Sequence, residues 1–325
     1  MMHFCTYFDC NYLHRGLALY RSIKNYMDMP FTFWILCFDK ITYNILKNLN
    51  LEDVKLISEE EFERDDKELL SAKSTRSRIE YYWTCTPSLP LYIFCQDPTI
   101  SVLYYLDADT YFFSTPLAIA RELGEQSILI VPHDYSKEFE NHNSSGVYNV
   151  GIMAFRNDDI GLTCLNWWRE RCLEWCYWKH ENGLIGDQAY LNDWPERFGK
   201  VSISLNPGIN AAPWNIAKYG IEIDADQQLY VGKRPLVCYH FHGLKICTRR
   251  LIYLTGFNVA LPTNKLSLIY KPYVAELLKS DAQIIKNRHS LEIPKSGIPW
   301  RYLAGRIIRK QPIKHFLLIK NGSFK

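Results

Sequence analysis

The spacing of apolar residues along this chain changes period several times within its first 60 positions. "HFCTYF" is a near-continuous apolar run of the kind a buried strand presents, and it stops at the polar "DCNYLHRG". In "LALYRSIKNYM" the apolar residues Leu19, Ile23 and Tyr26 fall at helical spacing. "FTFWILCF" returns to the aromatic and branched residues of a strand, "ITYNILKNL" reads as a short helix, and "VKLIS" as a third strand. This β-α-β-α-β order predicts an α/β fold with a mostly parallel central sheet flanked by helices. In such sheets ligands gather at the carboxyl ends of the strands. Asp9 follows the first strand and the pair Asp107/Asp109 follows another, so all three are placed to line one crevice.

Further along, "SILIVP" and "VYNVGIMAF" predict two more strands joined by the polar "HDYSKEFENHNSSG". "LTCLNWWRERCLEWCYWKH" predicts one helix with Leu165, Trp168, Cys172 and Trp175 on its buried face, and its tryptophans are expected in the core. Strand-like "VSISL", the loop "NPGINAAPWN" and the strand "LVCYHFHG" follow. From Lys265 to Lys286, Leu266, Ile269, Tyr273 and Leu277 keep helical spacing, with Pro272 expected near the helix start, where proline is tolerated. No repeat or low-complexity linker interrupts the pattern.

With 325 residues, 47% hydrophobic and 14% aromatic, the chain is long and apolar enough for a folded body of one large domain or two. A net charge of +3 is too small to indicate nucleic acid as the main partner. Charge is local: from Ile293 onward stand Lys295, Arg301, Arg306, Arg309, Lys310, Lys314, Lys320 and Lys325, with no acidic residue. Ile307, Ile308 and Phe316 to Ile319 interleave with them. This composition suits an anionic membrane surface, at about 1 kcal/mol per basic residue near it, and a solvated or partner-docked tail uses the same residues. The opening "MMHFCTYFDC" does not read as a secretory signal, and no run of about 18 apolar residues is present. The expected location is cytoplasmic, peripheral at the inner face of the plasma membrane. Ten cysteines without a C-x-x-C pair are then expected as reduced thiols, with Cys172 and Cys176 serving packing.

The chemistry is concentrated in "SVLYYLDADTYFF". On a strand Asp107 and Asp109 would point the same way and share a site, where two ionised carboxylates need a shared proton, an arginine or a cation. A solvated turn between strands would account for the same two acids.

Five short motifs, taken in order, resemble those of the GT-A nucleotide-sugar glycosyltransferases, specifically the retaining family that includes glycogenin and the bacterial lipopolysaccharide galactosyltransferases. They are "DCNY", "YLDADT", "YNVGIMAF", "GDQAYLN" and "HFHG". The resemblance implies that Asp9, Asn11 and Tyr12 hold the base and ribose of the donor, although Asp9 and Asn11 would also serve as a helix cap. It implies a divalent metal on Asp107, Asp109 and His240, with His242 as the alternative ligand; two carboxylates and an imidazole suit Mn²⁺, or Mg²⁺ in its place. Asn149 and Gly151 are placed near the transferred sugar, the glycine allowing close approach of a ligand. Asp187 and Gln188 are the candidate catalytic pair, with Asp187 equally suited to cap a helix, and Arg78 is a loose match to a donor-binding arginine. The family's H-x-x-G-x-x-K-P-W is broken here: "LKICT" follows Gly243, so Lys245, Arg249 and Arg250 compete for the diphosphate. Trp214 is a candidate stacking face on the acceptor side.

The implied domains are a GT-A catalytic unit over 1–250 and a helical, basic extension over 251–325. The implied reaction moves a sugar from a nucleotide-diphosphate donor, UDP-linked, to a hydroxyl of a glycan or lipid-linked glycan, with retention. Bacterial surface polysaccharide or lipopolysaccharide synthesis is the implied setting. A nucleotidyltransferase would carry a glycine-rich phosphate loop after the first strand, which "FDCNYLHRG" is not. An inverting enzyme on the same fold and a non-catalytic nucleotide-sugar or glycan-binding protein remain as alternatives.

Overall fold

The computed structural model describes residues 1–139, 146–248, 251–257, 259, 261–286, 316–320 and 323–324. Its first strand, β1 (Met2–Phe8), feeds α1 (Leu13–Tyr26), then β2 (Phe31–Cys37), α2 (Lys40–Leu49) and β3 (Val54–Ser58). Residues alternate between the two sides of the sheet: Phe4 and Phe8 of β1 join the core under α1 and α2, whereas Cys5 joins the core on the opposite side. Asp39 caps α2 by accepting from Thr42 N at 2.7 Å, and Asn50 ends it in the left-handed conformation.

Four helices follow that the apolar pattern does not announce: α3 (Glu59–Glu63), α4 (Lys67–Thr75), α5 (Arg78–Cys85) and α6 (Ser88–Gln96). Two of them begin with capping boxes, Ser58 with Glu61 and Ser77 with Glu80. Then come β4 (Val102–Leu106), β5 (Thr110–Phe112), α7 (Leu117–Leu123), β6 (Ile128–Pro132), β7 (Tyr148–Arg156) and α8 (Asp159–Glu174). Asp158 accepts from Gly161 N at 2.8 Å to start α8. The expected helix through His180 ends early, because Trp175 is extended. Trp168 is fully buried as expected, but Trp178 is 65% exposed and is not core.

The last third holds α9 (Trp194–Arg197), β8 (Val201–Ile203), α10 (Ile216–Tyr219), β9 (Ile221–Ile223), β10 (Leu229–Val231), β11 (Arg234–Pro235), β12 (Cys238–His240), β13 (Lys245–Thr248), β14 (Leu251–Tyr253), α11 (Thr263–Lys286), β15 (Phe316–Lys320) and β16 (Ser323–Phe324). The main sheet runs β3-β2-β1-β4-β7-β6-β8, with β7 antiparallel to both its neighbours and every other pairing parallel. This mostly parallel sheet between helices is the GT-A arrangement. Beside it, β5 and β12 form a two-stranded antiparallel ladder that sets Thr110 opposite His240.

Pro272 lies inside α11 rather than near its start, where it removes one donor from the helix. That helix packs on α1 through His14–Asp281 at 3.4 Å and Arg21–Glu276 at 2.7 Å. Part of the basic tail forms strand β15 against β14. Arg249, Arg250 and the tail residues Lys295, Arg301, Arg306, Arg309, Lys310 and Lys314 lie outside the described residues. All ten cysteines are free, and Cys172 and Cys176 are buried.

Candidate active site

The Asp-Ala-Asp segment is a turn, not a continuation of β4: Thr110 N donates to Asp107 O at 3.0 Å, and β5 starts directly afterwards. The acids nevertheless converge. His240 comes alongside on β12, and its Nε2 lies 3.1 Å from Asp109 Oδ1 and 3.8 Å from Asp107 Oδ2. Asp109 and His240 are buried, and Asp107 is half-buried with the Tyr105 hydroxyl donating to its Oδ1 at 2.9 Å. Asp109, His240 and the exposed His242 offer ligand atoms within 4.8 Å of one another, so both histidines face Asp109.

His240 drives these groups apart in acidity, against an effect of burial common to both carboxyls. Burial raises the Asp107 carboxyl above the ordinary range, aided by Asp109 and opposed by His240. Burial opposes ionisation of Asp109 as well, but the charge and hydrogen bond of His240 outweigh it and hold Asp109 low. His240 is raised: burial disfavours the imidazolium, and the two carboxylates more than compensate. A crowded set of this kind, one carboxylate and two imidazoles around one point with the Asp107 carboxylate beside them, fits a divalent cation with oxygen and nitrogen ligands.

The first turn after β1 supplies the next group. Asp9 is buried, and its carboxylate accepts from Asn11 N at 2.8 Å, Asn11 Nδ2 at 3.1 Å and the Tyr82 hydroxyl at 3.2 Å. Arg78, also bonded to Tyr82, places Nη2 3.2 Å from Asp9. The helix cap itself is Tyr12, whose ring is 42% exposed with the Arg15 guanidinium 4.4 Å from its centroid. Tyr82 stacks on Phe38 at 4.0 Å, an aromatic surface that motif reading missed.

Asn149 is buried on β7, accepting from Gly151 N at 3.0 Å and Asn210 Nδ2 at 3.3 Å, with its own amide 3.4 Å from His133 Nε2. Burial keeps His133 neutral, with its pKa lowered to about 3. Gly151 has a different reason for being glycine from the one expected: the close approach is by a side chain, since a Cβ there would lie 2.6 Å from His240 Nδ1 and 2.6 Å from Asn149 Oδ1.

Asp187 is buried and accepts from Thr86 Oγ1 at 2.8 Å, and that hydroxyl pairs with the Tyr7 hydroxyl at 2.9 Å. Burial, with a contribution from Asp107, pushes the Asp187 carboxyl up to about 7, against the Thr86 hydrogen bond. Gln188 opens a 3-10 helix, Gln188–Asp193, which Asp187 precedes without a side-chain cap bond.

Asp9, Asn11, Tyr12, Arg78, Asp107, Asp109, Asn149, Asp187, Gln188, Trp214, His240 and His242 all line one cavity of about 700 Å³, within the range of ligand sites. Gly243 and Lys245 do not: Gly243 turns the chain at φ +77°, and Lys245 is exposed at the start of β13. Trp214 is 3% exposed, its ring edge-on to His240 at 5.3 Å and to His242 at 5.7 Å, so it backs the histidines and leaves little face for a ligand.

The architecture is a GT-A fold. Among solved structures, the galactosyltransferase LgtC in complex with donor and acceptor sugar analogs superposes with a TM-score of 0.56 at 14% identity, covering 86% of this chain and 96% of that one. In sequence, the chain is 31% identical over 250 residues to the uncharacterized protein YfnF of Bacillus subtilis (strain 168), spanning 75% of this chain and 82% of YfnF, and it belongs to the same family. The uncharacterized protein YfnD of the same organism is 29% identical over 278 residues, 85% of this chain and 88% of that protein. No protein-family model matches.

Proposed function

We propose that this protein is a metal-dependent glycosyltransferase that moves a sugar from a nucleotide-diphosphate donor, a UDP-sugar, to a hydroxyl acceptor with retention of configuration. The observation that carries this reading is the convergence of Asp107, Asp109 and His240 at one end of a cavity on the GT-A fold, with Asp9, Asn11 and Tyr12 in the same cavity.

Asp107, Asp109 and His240 would hold Mn²⁺ or Mg²⁺, Asp107 standing 3.8 Å from the imidazole, with His242, which converges with Asp109 and His240, as a further donor. When bound, the ion supplies counter-charge to the departing diphosphate. Tyr105 fixes the Asp107 carboxylate for this task, and the Trp214 edge fixes the His240 ring. Asp9 and Asn11 present polar groups to the base and ribose, while the exposed Tyr12 offers a ring to stack on. Asn149 and His133 read sugar hydroxyls from the buried wall. Asp187 sits beside the sugar together with Gln188. A carboxyl with its pKa near 7 that is already bonded to Thr86 is a weak nucleophile below that pH, which favours front-face attack, the acceptor proton passing to the leaving phosphate oxygen. Gln188 then orients the reacting groups. Residues 1–250 carry this chemistry, and the basic stretch after Ile293 brings the enzyme to an anionic membrane bearing a lipid-linked glycan acceptor, as bacterial surface-polysaccharide synthesis requires.

Hydrolysis of UDP-glucose and UDP-galactose tests the reading. UDP release is expected with Mn²⁺, and its loss is expected with EDTA or in Asp109→Asn. Equal release in all three conditions would sink it, and NMR of the product anomer decides retention.

A further inference from the structure

Helix α5 uses its side chains in two directions. Arg78 and Tyr82, four apart, reach Asp9. Ile79 and Trp83, also four apart, are displaced about 100° round the helix and line the cavity as well. Trp178 leans against Trp83, with ring centroids 5.1 Å apart and 34° between planes. Two hydrogen bonds hold Trp178 there: its own N–H donates to the Glu80 side chain at Oε1, 2.8 Å away, and Gly186 N–H donates to Tyr177 O at 3.0 Å. The second bond folds the loop so that Trp178 stands beside the residues leading into Asp187. Gly186, at φ +53°, seats the Trp83 ring closely, since a Cβ there would lie 3.1 Å from Trp83 Cε3.

Trp178 is 65% exposed inside this cavity, whereas Trp168, Trp194 and Trp214 are exposed by 3% or less. Two adjoining indoles lining a concave cavity form the kind of exposed apolar patch that marks a binding surface. We propose that Trp178 and Trp83 form the platform on which the sugar ring of the acceptor stacks, next to Asp187 and Gln188. This rests on the glycosyltransferase reading above. A pyranose presents a face of weakly positive C–H groups, which suits the negative face of an indole, and a rim of hydroxyls, which suits His180 and Gln188 along the same wall. A nucleobase needs polar groups along its edge, and Asp9 and Asn11 supply those on the other side of α5. An acyl chain needs a longer apolar groove than a pair of indoles bounded by Glu80 and His180.

The test uses the full chain labelled with 5-fluorotryptophan and observed by ¹⁹F NMR with UDP and Mn²⁺ present. Methyl β-glucoside, methyl β-galactoside and methyl N-acetyl-β-glucosaminide are titrated in turn. The Trp178 signal, identified by its loss in Trp178→Ala, is expected to move saturably with at least one glycoside. Trp178→Ala should weaken that glycoside by about tenfold, read from the remaining tryptophans, and Trp178→Phe should recover most of it. No response to any glycoside, saturation by UDP alone, or an equal response to 1-hexanol each overturns the platform. A missing thermal shift with UDP and Mn²⁺ in the unaltered protein sinks the donor reading instead, by a measurement that does not involve Trp178.

Discussion

Gly151→Ala isolates the packing that aims His240. The glycine is in β7 and does not have a positive φ, so alanine suits the backbone and its effect is steric. The new Cβ would meet Asn149 Oδ1 and His240 Nδ1 at 2.6 Å and His240 Cε1 at 2.9 Å, where ordinary contact begins at 3.4 Å. Either the imidazole and amide retreat by about 0.8 Å or β7 bows. Metal–ligand distances tolerate only about 0.2 Å, so the displaced ring loses its place in the ligand set. The expected loss of Mn²⁺ affinity is 10- to 100-fold, comparable with removal of an outer-shell support, with an overpacking cost of about 1–3 kcal/mol in stability. Free Mn²⁺ measured by electron paramagnetic resonance gives the affinity, and urea unfolding gives the stability. Unchanged Mn²⁺ affinity together with unchanged stability would refute the reasoning.

Two more outcomes follow from the charges. The Asp187 carboxyl titrates at about 7 when folded and near 3.8 when unfolded, so between those values the folded chain holds a proton the unfolded chain has lost, and stability falls as pH rises through the window. Asp187→Asn, uncharged throughout, should therefore be more stable than the parent above pH 7 in EDTA by up to roughly 4 kcal/mol, the advantage vanishing near pH 4; a pH-independent difference in urea midpoint would contradict this. Glutamine at Arg301, Arg306, Arg309 and Lys310 should reduce sedimentation with phosphatidylserine liposomes while sparing β15, which truncation would remove; equal sedimentation of both proteins would defeat membrane docking.

The α/β alternation and the placing of Asp9 and the acid pair after strands were legible because each motif is short and follows an apolar run, whereas the link from the acids to His240 came from the resemblance of the motifs. "HFHG" and "DAD" are far apart in sequence, yet both stand at strand ends, and topology brings them together. What stayed hidden depends on distant contacts. Gly151 answers to the His240 ring, which no local pattern around "YNVGIMAF" reveals. The helices from Glu59 to Gln96 escaped because α6 is apolar on most sides, burying Leu89, Pro90, Ile93 and Phe94, and so has no clear period; the Ser58/Glu61 and Ser77/Glu80 capping boxes were the available signal. The end of α8 was missed because aromatic spacing continues through Trp175 and Trp178, although the latter serves the cavity instead of the core.

The ladder between β5 and β12 pairs Thr110 with His240, about 130 positions away along the chain. A chain emerging from the ribosome therefore completes both acids long before the imidazole that must face them exists. Closing so long a loop is entropically costly, and it returns nothing until the ladder zips. A metal held as proposed would consequently be captured late in synthesis, only once β12 is in place.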